Sequence, residues 1–193
     1  LTRHHPRAWI DTDGFGKGAA LTSARERLSG GGVNSAFLDL GGQVVAVGRD
    51  VSTRSPWSVG VAHPSRRYEI VAHLLVEDAS VATSGNSERA LMVAGEPIGH
   101  LIDPRTGHPA ALWGSVTVVA DDPMLADVLS TALYVMGPVA GLAWARRLED
   151  VGALFVSECD GSLVGCCNAA LERWLVDSAV PLTTVSHTGK TER

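Results

Sequence analysis

The chain has 193 residues, of which 45% are apolar and 19% are charged, so it can bury a sizeable core and is not a disordered segment. Its net charge of −5 and its aromatic content of 5% argue against the basic or stacking surfaces of nucleic-acid-binding proteins. The three cysteines, Cys159, Cys166 and Cys167, form no CxxC pair, which argues against a disulfide framework and a structural zinc site.

The predicted elements begin after a polar leader, residues 1–10. A glycine-rich, turn-prone segment, Asp11–Gly18, precedes a helix over Ala19–Leu28, and the run Gly30-Gly31-Gly32 ends that helix. Strand patterns follow, and Gly41-Gly42 joins the first two as a tight hairpin. These predicted strands are Ala36–Leu40, Gln43–Val47, Trp57–Val61, Tyr68–Val76 and Ser80–Ala82.

The second half of the chain combines strands with two apolar helices. The charge-free run Val128–Ala145 has the length of a membrane span, but Gly137-Pro138 interrupts it, so we expect two buried helices there and no membrane span. Meandering strands with grouped helices predict an α+β domain with a mixed or antiparallel sheet. The elements predicted here are the strand Ser115–Ala120, the helices Pro123–Met136 and Val139–Leu148, the strand Ala153–Ser157 and a short helical piece near Ala169–Val176.

Three segments are dense in residues that could carry chemistry. The first, Asp11–Gly18, offers glycine backbone and helix-start N–H groups, which suit phosphate oxygens. It matches neither GxxxxGK[ST] nor GxGxxG, and a purely structural turn is the alternative.

In the second segment, Thr83–Arg89 is followed by Gly99–Gly107, where His100 precedes Asp-Pro-Arg-Thr-Gly. That histidine is either a general base or a hydrogen-bonded scaffold residue.

The third segment is Ala126–Thr131 on the predicted helix. Asp127, Ser130 and Thr131 are spaced i, i+3 and i+4 and therefore share one helix face. One carboxylate with two hydroxyls is an all-oxygen set of the kind that Mg²⁺ prefers. The alternative is an acidic residue in the first turn of a helix beside small packing residues.

Taken together and in this order, the segments resemble the FAD:protein FMN transferase family, the ApbE-like flavin transferases. The most specific match is His-Leu-Ile-Asp-Pro-Arg-Thr-Gly, and Trp57–Val61 followed by His63-Pro64 also fits the family pattern. The chain departs from that pattern at Asp13, Gly16, Thr22 and Asn86-Ser87. The matching segments are Asp11–Gly18, Leu40–Gln43, Thr83–Arg89, His100–Gly107 and Ala126–Thr131.

The resemblance runs from about Asp11 to Gly161 and implies an ApbE-like α+β fold. The expected division is a leader (1–10), a flavin transferase domain (11–163) that lacks the family's N-terminal portion, and a C-terminal extension (164–193). The implied reaction is the Mg²⁺-dependent transfer of FMN from FAD to a threonine hydroxyl of a target protein, with release of AMP. The family's acceptor motif resembles Ser/Thr-Gly-Ala-Thr, which this chain lacks, so the target would be another protein.

The resemblance also implies a role for each matching residue. His100 would be the general base, and the flavin nucleotide would lie against Asp11, Lys17 and Leu101. The Mg²⁺ ligands would be Asp127 and Thr131, with Ser130 adjacent and a backbone carbonyl at Gly14. Two alternatives stay open: an FAD pyrophosphatase with water as the acceptor, and a shortened flavin-binding fragment without turnover.

Overall fold

The computed structural model of the protein describes residues 2, 4–85, 91–93, 95–159, 161–186 and 191–192. Its α-helices are α1 (Gly16–Gly30) and α2 (Pro123–Ala145). The first nine strands are β1 (Ala36–Leu40), β2 (Gln43–Val47), β3 (Trp57–Ala62), β4 (Ile70–Val76), β5 (Ser80–Gly85), β6 (Leu91–Val93), β7 (Glu96–Ile98), β8 (Ile102–Asp103) and β9 (His108–Pro109). The later strands are β10 (Gly114–Ala120), β11 (Gly152–Cys159), β12 (Ser162–Asn168), β13 (Leu175–Ser178), β14 (Leu182–Val185) and β15 (Thr191–Glu192).

An eight-stranded sheet in the order β1-β2-β5-β10-β11-β12-β14-β15 is the middle layer of the described structure. Its neighbouring strands are antiparallel except for β12 and β14, which are parallel. Successive residues of a strand point to opposite faces. Accordingly, Val118 on β10 and Phe155 on β11 belong to the core under α2, whereas their neighbours Val119 and Leu154 belong to the core under the three-stranded sheet β13-β4-β3. Helix α1 packs its Leu21 on β2.

The structure confirms the α+β class and most of the predicted elements. The bounds of β1 and β2 are those predicted, and Gly41 and Gly42 form their turn with φ of 61° and 85°. Helix α1 ends where the glycine run begins, with Gly31 as its C-cap. Inside α2, Gly137 has φ 80° and ψ 168°, so the predicted division into two helical pieces at Gly137-Pro138 is confirmed.

The prediction for the last part of the chain is confirmed for a short helical piece but misses the strands. A strand, β12, runs across residue 163 and pairs with β11 and β14, and the predicted helical piece is a short 3-10 helix, Ala169–Arg173, followed by β13. A Cβ on Gly165 would overlap Leu182 Cδ2 where β12 meets the start of β14, so a side chain there would require the Leu182 side chain to shift. Long-range pairing creates these strands, and local periodicity does not report it.

Helix α2 is only partly the buried element that we expect from its composition. Among the described residues it is the one helix that is long and apolar enough to cross a membrane, a property that core helices share. One side of it, including Leu129, Leu133 and Tyr134, is buried against the sheet. The opposite side is exposed, with Val128 at 38% and Val139 at 85% exposure, so the expectation of a fully buried run is wrong for that side.

Asn168 at the end of β12 ties the C-terminal end of α2 to the sheet. Its buried amide Nδ2 donates to Ala145 O at 3.0 Å and to Val151 O at 2.7 Å, and its Oδ1 accepts from Ala153 N at 2.9 Å. Each of these main-chain groups would lose its partner without the amide, and a buried unpaired polar group is costly.

We therefore expect Asn168→Ala to lower the free energy of unfolding by about 3 kcal/mol. The matched control Asn34→Ala removes an exposed amide and should stay within about 0.5 kcal/mol of the parent. Urea unfolding followed by circular dichroism measures both variants. Equal effects of the two substitutions would show that the Asn168 contacts do not stabilise this junction.

Candidate functional site

The site lies where the start of α1 meets the start of α2. A Cβ on Gly18 would lie 2.5 Å from Pro123 O, 2.6 Å from Met124 Cα and 2.9 Å from Asp127 Cβ. Real Cβ atoms essentially never approach other atoms below 3.0 Å, so only a glycine permits this helix contact. The glycine-rich sequence before and within α1 thus has a structural cause at Gly18.

Asp127 caps helix α1 from across this contact. Phe15, the residue before α1, makes no side-chain cap, and the backbone N–H of Gly18 instead donates to Asp127 Oδ2 at 2.9 Å. A carboxylate at this position also complements the positive end of the helix dipole. The first turn of α1 is therefore stabilised by a residue 109 positions away in the sequence.

Lys17 completes the environment of this carboxylate. Its Nζ lies 2.9 Å from Asp127 Oδ1, and the Asp127 side chain is only 2% exposed whereas that of Lys17 is 36% exposed. A buried carboxylate is costly unless it is paired and hydrogen-bonded, and Asp127 meets both conditions. The resemblance placed Lys17 at the flavin and Asp127 at the metal, and in the structure the two side chains are in direct contact.

Hydroxyl groups lie on the same face of α2. Ser130 Oγ donates to Asp127 O at 2.9 Å and lies 2.8 Å from Ser84 Oγ of β5, which in turn lies 3.3 Å from Thr131 Oγ1. Gly14 is next to Thr131, since a Cβ on it would be 3.7 Å from Thr131 Cγ2. Sequence reasoning assigned no role to Ser84, although the Thr83–Arg89 segment contained it. Asn86 and Ser87, two departures from the family pattern, lie outside the described residues.

The oxygen atoms that this cluster offers as metal ligands fit a hard cation. Asp127, Thr131 and the backbone at Gly14 supply only oxygen, and a carboxylate has about four lone-pair sites, of which Lys17 and Gly18 use two. Within the described ranges, no three His, Cys, Asp or Glu side chains are grouped to hold a metal. A Mg²⁺ site does not need such a group, because one carboxylate is commonly completed by water and substrate phosphates.

Asp11 lies in the turn that leads into α1. Its Oδ1 accepts a hydrogen bond from Asp13 N at 2.9 Å, while Thr12 O accepts from Gly16 N at 2.6 Å. This turn leads directly into the N-terminal end of α1, which Asp127 caps. The exposed Asp11 is thus near the start of α1.

His100 and Leu101 lie on the loop between β7 and β8. The β8–β9 hairpin follows directly, and Ala110 N just after it donates to Leu101 O at 2.8 Å. This hairpin contacts α2, since Arg105 Nη2 in its turn donates to Val135 O at 3.3 Å. Val135 is one helical turn beyond Thr131 and on the same face, so the hairpin turn meets α2 one helical turn beyond the oxygen cluster.

Asp103 stabilises this loop and is unsuited to act as a base. Its carboxylate accepts from Arg105 N at 2.9 Å and from Arg105 Nη2 at 2.7 Å, and its carbonyl accepts from Gly107 N at 2.8 Å. The hydrogen bonds from Arg105 hold the pKa of Asp103 below its usual value. The structure thus gathers Gly14, Lys17, Ser130 and Thr131 around Asp127 and places His100 and Leu101 just before the hairpin that contacts α2.

Comparison with known proteins gives consistent matches. A family model described as the ApbE family matches residues 1–155. The chain is 34% identical over 161 residues to a Rhodobacter capsulatus protein named FAD:protein FMN transferase, covering 79% of this chain and 30% of that protein. It is 35% identical over 156 residues to the protein of the same name from Treponema pallidum, covering 76% of this chain and 43% of that protein.

Solved structures give the same result for the fold. The Vibrio cholerae flavin transferase ApbE matches with a TM-score of 0.75 and 26% identity, over 88% of this chain and 54% of that chain. The Pseudomonas stutzeri flavinyl transferase ApbE matches with a TM-score of 0.72 and 30% identity, over 85% of this chain and 50% of that chain. The chain therefore spans about half or less of the length of these relatives.

The contact at Gly18 gives a prediction for the whole site. We expect Gly18→Ala to lower the free energy of unfolding by about 3 kcal/mol or more, because the methyl group would overlap backbone atoms of α2. Gly30→Ala is the matched control: it is also in α1, a Cβ there meets nothing within 4 Å, and it should be neutral or stabilising by up to about 1 kcal/mol. Thermal unfolding monitored by calorimetry compares the two. A Gly18→Ala variant as stable as Gly30→Ala would contradict the close helix approach.

Proposed function

Because the chain belongs to the ApbE family, we propose that it forms the metal- and phosphate-binding part of a flavin transferase that moves FMN from FAD to a threonine hydroxyl of a target protein. The observation that carries this proposal is the cluster around Asp127. It combines a buried carboxylate, a partly exposed lysine and a helix N-terminus in one place. The relatives named FAD:protein FMN transferase support the same function.

The proposed reaction is a phosphoryl transfer. The bond between the two phosphates of FAD breaks, the FMN phosphorus forms a bond with the threonine oxygen, and AMP leaves with the bridging oxygen. Mg²⁺ held by Asp127 and Thr131, with Ser130 adjacent and the Gly14 carbonyl, would neutralise charge on the phosphates. The N–H groups at the start of α1 and the ammonium of Lys17 would bind phosphate oxygens. Asp11, at the same helix end, would contact the nucleotide.

In this proposal, His100 and Leu101 act from the segment just before the β8–β9 hairpin. Leu101 would offer an apolar contact for the flavin ring. His100 would accept the proton of the threonine hydroxyl, which is a poor nucleophile until that proton is removed. Imidazole is the usual general base near neutral pH. The resemblance assigns this role to His100, whereas Asp103 is hydrogen-bonded to Arg105 and Asp127 to Lys17 and Gly18.

One prediction of the proposed function concerns the Asp127 carboxylate. Asp127→Asn retains the shape but removes the charge that binds a hard cation, so we expect Mg²⁺-dependent conversion of FAD to fall by roughly two orders of magnitude. Chromatography of FMN and AMP over a Mg²⁺ titration measures this. The control is Asp121→Asn, which changes an exposed carboxylate just before α2 and should keep the parent's rate.

Three outcomes of that experiment are decisive. An Asp127→Asn variant with the parent's rate and Mg²⁺ dependence would refute the metal assignment. A parent chain that neither binds nor cleaves FAD would refute the proposed function for this chain. Cleavage that proceeds equally with and without a target bearing the Ser/Thr-Gly-Ala-Thr motif, and leaves that target unmodified, would indicate a pyrophosphatase that uses water.

Another prediction of the proposed function concerns the general base, His100. We expect His100→Ala to lower single-turnover FMN transfer at saturating FAD by about 10²–10⁴ while FAD affinity changes little, because the loss is confined to the transition state. His108→Ala, an exposed histidine on β9 after the same turn, is the control and should retain activity. If His100 only supports the turn, the variant will lose thermal stability and FAD binding together and keep its rate per bound FAD.

A further inference from the structure

Ser84 on β5 contacts both hydroxyl groups of the oxygen cluster on α2. Its Oγ lies 2.8 Å from Ser130 Oγ and 3.3 Å from Thr131 Oγ1. Ser130 is completely buried, and its own Oγ also contacts Asp127 O at 2.9 Å. Hydrogen bonds therefore run without a gap from Asp127 O through Ser130 and Ser84 to Thr131.

The direction of each of these hydrogen bonds follows from the number of hydrogens. A serine or threonine hydroxyl has one hydrogen to donate and two lone pairs that accept. Asp127 O is a carbonyl oxygen and can only accept, so Ser130 Oγ donates its hydrogen there. Ser130 has no second hydrogen, so the contact between Ser84 and Ser130 is a hydrogen bond that Ser84 donates. Ser84 has then used its own hydrogen, and Thr131 must donate to Ser84.

We propose that Ser84 is a positioning residue, which holds the hydrogen of the Thr131 hydroxyl and so leaves both lone pairs of Thr131 Oγ1 available to a cation. This inference rests on the proposed function, in which Asp127 and Thr131 hold Mg²⁺. A hydroxyl binds a cation through a lone pair, so its hydrogen must be directed elsewhere. Without Ser84 the Thr131 hydroxyl would lose the acceptor that fixes its orientation. Outer partners that orient metal ligands in this way are typically worth about 10–100-fold in metal affinity.

The neighbouring residue on β5, Thr83, provides a matched control. Its Oγ1 lies 2.9 Å from Thr117 Oγ1 of β10, so it forms a hydroxyl pair of the same kind as Ser84 does. Successive residues of a strand point to opposite faces, so Thr83 points away from the sheet face that carries α2. Thr83→Ala therefore removes a comparable hydrogen bond from the same strand without affecting the Thr131 hydroxyl.

The experiment measures metal affinity separately from turnover. The chain is titrated with Mn²⁺ alone, which prefers the same oxygen ligands as Mg²⁺, and free Mn²⁺ is measured by electron paramagnetic resonance. We expect Ser84→Ala to weaken Mn²⁺ binding by about 10-fold, whereas Thr83→Ala should bind as the parent does. The Tm of each metal-free variant, measured by calorimetry, should stay within about 4 °C of the parent's, because each loses only neutral hydrogen bonds.

The direction of the hydrogen bonds also predicts how two substitutions combine. Ser130→Ala releases the hydrogen of Ser84, so the direction of the bond to Thr131 is no longer fixed, and Mn²⁺ affinity should fall by less than in Ser84→Ala. Once Ser84 is absent, Ser130 has no path to Thr131. The double variant should therefore bind Mn²⁺ as Ser84→Ala does, and additive losses would overturn the proposal, because Ser130 would then act on the metal by itself.

The remaining outcomes separate this inference from the proposed function. If Ser84→Ala binds Mn²⁺ like the parent, or if its loss of affinity is matched by a large drop in the metal-free Tm, Ser84 has no positioning role. Loss of binding in Asp127→Asn would in that case still support the metal site. A parent chain that does not bind Mn²⁺, or an Asp127→Asn variant that binds it as the parent does, would overturn the metal site itself and this inference with it.

Discussion

The close contact between the N-terminal turns of α1 and α2 is the constraint on which the rest of the site depends. Helix α1 has no side-chain cap of its own, and Asp127 supplies one from α2. The approach is possible only because Gly18 has no side chain to overlap Pro123 and Met124. The same contact brings Lys17 to the carboxylate and Gly14 to Thr131. Helix packing and formation of the site are therefore a single structural event, and a substitution that separates the helices removes both.

This coupling explains which parts of the site could be predicted from the sequence. The i, i+3, i+4 spacing of Asp127, Ser130 and Thr131 is a local property of one helix, and the structure keeps them on one face. The contact of Lys17 with Asp127 spans 110 residues and leaves no periodic trace in the sequence. Ser84 was missed as a partner for the same reason, since only the pairing of β5 with β10 brings it to α2.

The fold shows the same division between local and long-range information. Strands β1, β2 and β10 have strong alternating or continuous apolar patterns and clear turn residues, so their positions could be predicted. By contrast, β12 contains Gly165 and two cysteines and gains its strand structure from pairing with β11 and β14. No sequence pattern predicts the hydrogen bonds of Asn168, yet its side-chain amide pairs with three buried main-chain groups. The residues after 163 are thus tied to the core by contacts that composition alone does not indicate.

The start, the break and the second half of helix α2 have different sequences and make different contacts. At its start, the Asp122 carboxylate caps the helix through Met124 N at 2.8 Å, and Asp127 is turned inward to α1. At Gly137 the positive φ redirects the chain, and beyond it Gly141 has no side chain, so the helix can approach Phe155, whose Cε1 would lie 2.9 Å from a Cβ at that position. The second half of α2 therefore lies close to β11 of the sheet. The inward side of α2 is therefore explained by the fold, whereas its exposed outward side is uncharged although a solvent-facing helix surface normally carries polar residues.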